Sequence, residues 1–63
     1  MRMSIDAFRD TRYALDRSLE TIDLALEDRD KAPNMEILYL RSDEAIYLMK
    51  RLLKELRIIR SEN

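Results

Sequence analysis

The sequence predicts an all-α protein, an antiparallel helical hairpin that dimerises into a four-helix bundle. The chain of 63 residues contains no glycine and one proline, and it is 46% hydrophobic and 40% charged, which is a helix-forming composition. The proline lies near the middle of the chain, in the polar stretch EDRDKAPNME. Each half repeats apolar residues at alternating spacings of three and four, a pattern typical of helices that pack along one side.

The first helix is predicted over about residues 4–30, with Ser4 as its N-cap and Asp6 favourable in its first turn. Its apolar repeat is interrupted only by Arg12. The repeat consists of Ile5, Phe8, Arg12, Leu15, Leu19, Ile22 and Leu26. One flank of the repeat has only small side chains, which lets another helix approach closely. These are Ser4, Ala7, Thr11, Ala14, Ser18, Thr21 and Ala25.

A turn at about residues 31–34 and a second helix at about residues 34–60 follow. Pro33 disfavours helical geometry at Ala32, and Asn34 is suited to cap the helix that comes next. A connection this short makes the two helices antiparallel neighbours. The string RSDE at residues 41–44 also resembles a helix start, so a break or kink near Ser42 is an alternative.

The apolar arc of the second helix is wider than one neighbouring helix covers. Its heptad positions are Met35, Leu38, Ser42, Ala45, Met49, Leu52, Leu56 and Ile59. Flanking positions are apolar as well, and Leu40 and Tyr47 widen the stripe further. An uncovered patch of this kind indicates association, here with a second copy in a homodimer. The predicted oligomer interface is Tyr39, Ile46, Leu48, Met49, Leu53 and Leu56.

Composition restricts the chemistry that a single domain spanning residues 1–63 can perform. The chain lacks cysteine and histidine, so it has neither disulfides nor the usual zinc and iron ligands, and the standard nucleophile–base pairs are incomplete. Without glycine it has no glycine-rich phosphate loop. We therefore expect no catalytic residues, no metal and no cofactor. No apolar run is long enough to span a bilayer, so we expect a cytoplasmic protein without a membrane partner.

The segment KRLLKELRIIR, residues 50–60, has three interpretations. Its cations suit the negative end of the helix dipole and lie opposite the acids of the first helix, Asp6, Asp10 and Asp16. They could instead bind nucleic acid, although the sequence pI near 5.3 and the lack of an aromatic residue in the segment weigh against this. The third interpretation is an interfacial or partner-bound helix. The predicted basic patch is Lys50, Arg51, Lys54, Arg57 and Arg60.

Charge is divided between the two ends of the predicted hairpin. The terminal half, residues 1–18 and 48–63, has nine basic and five acidic residues, a net charge of +4. The turn half, residues 19–47, has three basic and eight acidic residues, a net charge of −5. The hairpin is therefore electrically polar although the net charge of the whole chain is only −1.

The whole chain, from MRMSIDAFRD to SDEAIYLMKRLLKELRIIRSEN, resembles the small accessory proteins of lambdoid temperate phages. More narrowly, it is similar to the 63-residue open reading frame of their early region, between the exonuclease and excisionase genes. The resemblance implies a non-enzymatic regulator that acts through host or phage protein partners and biases lytic against lysogenic development or perturbs the host cell cycle. It transfers no functional residue.

Overall fold

The computed structural model describes residues 2–62 of the chain, with the side chains of residues 4–62. It contains two α-helices, α1 (Arg2–Ala25) and α2 (Met35–Glu62), and the described part has no strand. The helices pack against each other along their length in an antiparallel hairpin that measures 50 × 15 × 12 Å. The prediction of an all-α hairpin is confirmed for the single chain.

The start of α1 differs from the sequence prediction. Ser4 lies inside the first turn, because the described helix already begins at Arg2. The Ser4 hydroxyl donates a hydrogen bond to Glu62 Oε2 across the hairpin, at 2.8 Å. The assignment of Ser4 as the N-cap is therefore wrong, and its hydroxyl instead ties the two ends of the chain together.

The end of α1 also differs, because the helix stops at Ala25 and not at the expected Asp30. In the last turn, the Leu26 N–H is shared between the carbonyls of Ile22 and Asp23, both at 3.2 Å, and the helix tightens before it ends. Glu27, Asp28 and Asp30 follow, and in a longer helix they would lie at the negative end of the helix dipole, where anions are unfavourable. The connection is consequently residues 26–34, longer than the predicted turn.

Asn34 starts α2 as the sequence predicts. Its Oδ1 accepts hydrogen bonds from the backbone N–H groups of Glu36 and Ile37, at 3.0 and 3.2 Å, so two donors at the helix start are satisfied. The helix then continues without a break through Ser42 to Glu62. The alternative of a helix break near Ser42 is therefore wrong, since residues 41–44 lie within one helix.

The two helices meet along a stripe that we call the seam. Its α1 side is polar and small, because Thr11 and Ser18 are 3% and 2% exposed. Between them lies Leu15, which forms the buried apolar cluster with Ala45 and Leu48 of α2. The small flank predicted from the sequence is thus the surface on which α2 packs.

Packing on small side chains displaces the larger apolar residues of α1 from the centre of the contact. Ile5, Leu19 and Leu26 remain 37%, 44% and 50% exposed. They occupy the same heptad repeat as the buried Leu15, but they flank the seam on one side. The single hairpin therefore leaves most of its apolar repeat in contact with solvent.

Candidate interaction surfaces

The side chains of α1 fall on two sides of the seam. Ser18 marks its centre, and each residue along a helix advances by about 100°. Arg17 and Thr21 therefore lie on one side of Ser18, and Leu15 and Leu19 lie on the other. One side of α1 is polar and the other is apolar.

The side chains of α2 divide in the same way around Leu48. Tyr47 lies on one side of Leu48 and Met49 on the other. Tyr47 borders the same depression as Arg17 and Thr21, so these sides of the two helices coincide. Leu19 and Met49 consequently lie together on the opposite side of the hairpin.

We call this opposite side the association face. Most of the predicted oligomer interface belongs to it. Met49 and Leu56 lie beside the seam and are 59% and 49% exposed. Ile46, Leu53 and Tyr39 are also exposed and lie farther from the seam around α2. Arg12, the polar member of the α1 repeat, forms an ion pair with Asp16 one turn later. The association face consists of Ile5, Leu19, Leu26, Met35, Tyr39, Ile46, Met49, Leu53 and Leu56.

Leu48 does not belong to this face. It is 8% exposed and lies in the seam, so the expectation that it stays uncovered once α1 has docked is wrong. The reason is the size of Ser18, which borders the same depression and leaves room for a leucine from α2. Leu40 and Tyr47 lie on the side of α2 away from Met49. The wide apolar arc of α2 is therefore two surfaces separated by the seam.

The basic segment of residues 50–60 is exposed on α2. Arg51 pairs with Glu55 one turn later, with 3.3 Å between Nε and Oε2. In the part of the chain that is described, no ion pair is formed by Lys50, Lys54, Arg57 or Arg60. Each of the four ion pairs found there joins two residues of the same helix, two pairs in α1 and two in α2. Pairing of these cations with the acids of α1 is therefore not what joins the helices.

The polar contact between the helices at mid-length involves Ser18, Arg41 and Glu44. The buried Ser18 hydroxyl donates a hydrogen bond to Glu44 Oε1, and Arg41 Nη1 donates to the same oxygen at 3.2 Å. The Ser18 hydrogen bond, together with the smaller effect of Arg41, lowers the pKa of Glu44 below its ordinary value. The contact fixes one carboxylate at the edge of the seam.

Tyr47 stands between two depressions on the side opposite the association face. The first has a volume of about 420 Å³ and is bordered by Arg17, Arg41 and Glu44. The second has a volume of about 480 Å³ and is bordered by Lys50, Arg51, Lys54, Glu55 and Ile58. Tyr47 itself is 62% exposed and lines both. We call this surface the Tyr47 groove. Sequence reasoning missed it because Tyr47 was grouped with the apolar stripe.

No family model, no curated protein and no solved structure matches this chain. Among residues 2–62, no group of three carboxylates is placed to hold a metal ion. Neither of the two described helices is long and apolar enough to cross a bilayer. The surfaces of the hairpin are thus the features from which a function is argued.

Proposed function

We propose that this protein is a non-enzymatic interaction module that works as a homodimer of hairpins. In this proposal the association face packs against the same face of a second copy, and the four helices form one bundle. The resemblance to lambdoid accessory proteins supports the further proposal of a phage early regulator. It would act in the host cytoplasm through a host or phage protein and influence lytic against lysogenic development or the host cell cycle.

The observation that carries this proposal is that the single hairpin buries few apolar side chains and leaves many exposed on the association face. The buried apolar residues of the described chain are Leu15, Ala45 and Leu48. A core this small is insufficient for a chain of this length, and oligomerisation is the stabiliser available without disulfides or metal. Contiguous exposed apolar surface in a soluble protein marks an association site.

Charge favours a second copy as the occupant of this face. The turn half of the chain has a net charge of −5 and the terminal half +4, so two hairpins placed head to tail bring opposite charges together at both ends. A twofold arrangement uses the same patch on both subunits, and each copy supplies the apolar residues that the other lacks. A second copy of this chain therefore provides both the charge and the apolar surface that match the association face.

A pair of substitutions in α2 tests the association face. Leu56→Asp places a charge on the association face, whereas Leu40→Asp places it on the other side of the seam, at a leucine that is 60% exposed compared with 49% for Leu56. Sedimentation velocity at micromolar protein should show a dimer for the parent chain and for Leu40→Asp, and a monomer or unfolded chain for Leu56→Asp. Equal masses for the two variants would contradict the assignment of the face.

Nucleic-acid binding by the basic patch is the second candidate. It is favoured by the four cations, Lys50, Lys54, Arg57 and Arg60, that form no ion pair within the described residues. Phosphate contacts by such cations bind with steep salt dependence. A retardation assay with duplex DNA and structured RNA, at low and at physiological salt, tests it. Binding that vanishes at the higher salt supports the candidate, and no retardation at either salt removes it.

A further inference from the structure

We propose that the Tyr47 groove binds single-stranded nucleic acid, with a base stacked on the Tyr47 ring and phosphates held in the depressions on either side. The groove lies across the seam from the association face, so a second copy packed on that face leaves the groove open. It rests on the second candidate function and deepens it, because it names a single strand as the ligand and an aromatic ring as the stacking platform.

The Tyr47 ring is available for stacking. Its side chain is 62% exposed, and in the described part of the chain it makes no side-chain hydrogen bond. It protrudes from a continuous helix, so its backbone is fixed while its ring faces solvent. An exposed ring on a rigid element accepts any base, since every base presents a flat aromatic face.

Cations border both depressions. Arg17 is held over the Tyr13 ring, with its Cζ 5.8 Å from the ring centroid, and its Nη1 donates to the Tyr13 hydroxyl at 3.4 Å. Arg17 forms no ion pair with a described carboxylate, so its charge is free to meet a phosphate. Lys50 and Lys54, on the other side of Tyr47, are exposed and form no ion pair with a described residue.

Both acids of the groove accept hydrogen bonds. Glu44 accepts them from Ser18 and Arg41, and Glu55 Oε2 accepts one from Arg51, while Glu55 Oε1 is buried without a partner among the described residues. Five cations and these two acids leave the groove with a net charge of +3, in a chain whose net charge is −1. The positive charge of the groove favours an anionic ligand.

The dimensions of the groove fit a short strand. Arg41 and Lys54 are thirteen residues apart on α2, about 20 Å along the helix axis. Cations at both ends with a ring between them match the alternation of phosphates and bases in a single strand. An acidic peptide would satisfy the cations but would leave the exposed ring without a stacking partner, so nucleic acid is the better match.

Fluorescence anisotropy with labelled oligothymidine and oligouridine of about 12 nucleotides tests the proposal at low salt. Tyr47→Ala should weaken binding about 5- to 150-fold, the range measured for loss of one stacked base, while Tyr47→Phe should bind as the parent chain does. Arg17→Ala should make the negative slope of log K against log salt shallower by about 0.7, because one phosphate contact is lost. Arg29→Ala, the same charge change in the connection, is the matched control and should have little effect.

Four outcomes would overturn the proposal. The first is no binding of either oligonucleotide at low salt. The second is equal loss from Arg17→Ala and Arg29→Ala, which indicates net charge alone. The third is a polyglutamate peptide of equal charge that binds as tightly as the oligonucleotide. The fourth is a Tyr47→Ala variant that binds as the parent does while Lys54→Ala weakens retardation of duplex DNA, in which case the second candidate function stands without this inference.

Discussion

Leu52 shows how a single side chain supports both helices of this hairpin. It is half-buried beside the cluster of Leu15, Ala45 and Leu48, next to the association face. A carboxylate at this position would be removed from water without a partner, which costs several kcal/mol in order-of-magnitude terms, comparable to the stability of a small domain.

We therefore expect Leu52→Asp to abolish the helical circular-dichroism signal. Lys54→Asp is the control, because Lys54 is exposed two positions along the same helix and the fold should survive the change. Equal helicity of the two variants would show that the assignment of buried and exposed sides of α2 is wrong.

The Ser18–Glu44 contact makes stability depend on pH. The Ser18 hydroxyl and Arg41 lower the pKa of Glu44 in the folded chain below its ordinary value of 4.5. A carboxyl with a lowered folded pKa stabilises the fold at pH values above its unfolded pKa, and this stabilisation is lost as the pH falls through the folded pKa. Acid should therefore weaken the hairpin partly through Glu44.

Urea unfolding of the parent chain and of Ser18→Ala between pH 7 and about pH 3 tests this, since the range spans the ordinary glutamate pKa. The loss of stability on acidification should be smaller in Ser18→Ala, because the main hydrogen bond that lowers the pKa of Glu44 is gone. Thr21→Ala, which removes a hydroxyl that bonds only the Arg17 carbonyl of its own helix, should keep the pH dependence of the parent. Parallel pH profiles for the parent and Ser18→Ala would contradict the contact.

Among the secondary-structure elements, the start of α2 was more predictable than the end of α1. Asn34 follows the only proline and has a side chain that caps locally, so sequence alone identified the start. The apolar repeat of α1 runs on to Leu26, whereas the helix ends at Ala25. The acids at 27, 28 and 30 are unfavourable at the end of a longer helix, and periodicity does not report this effect.

Asn34→Ala should destabilise the hairpin by about 1 kcal/mol, because the N–H groups of Glu36 and Ile37 lose their acceptor. Asn34→Asp should retain most of the stability, since a carboxylate caps equally well and suits the positive end of the helix dipole. Chemical denaturation measures both differences. If both substitutions are equally destabilising, the lost stability does not come from the hydrogen bonds of the cap.

The packing of the elements was predictable only in part. The small flank of α1 and the apolar repeat of α2 were both visible in the sequence, and so was the antiparallel direction. Periodicity does not reveal whether a helix packs by its small flank or by its large residues. Leu48 and Tyr47 were misassigned for this reason, because both appear as members of one stripe until the seam position is known.

At the scale of the whole molecule, the division of charge predicts how two hairpins meet. A parallel arrangement would place the two −5 turn halves side by side, whereas a head-to-tail arrangement sets each against a +4 terminal half. Each exposed pair contributes only about 0–1 kcal/mol, but the sum chooses between arrangements that bury similar apolar area. The preference should weaken as salt rises.

A spin label at position 32, introduced as Ala32→Cys, reports this arrangement. α2 has 28 residues and is therefore about 40 Å long, so head-to-tail packing separates the two labels by that distance or more. A dominant distance below about 20 Å, half the helix length, would place the two turns together and exclude the head-to-tail dimer.

The central claim is that one hairpin is not stable alone and that the association face completes its core. Thermal unfolding at several protein concentrations, paired with sedimentation at the same concentrations, tests it most directly. We predict a dimeric mass and a melting temperature that rises by roughly 5 °C for each tenfold increase in concentration. A melting temperature that does not change with concentration, together with a monomeric mass at micromolar protein, would contradict the claim.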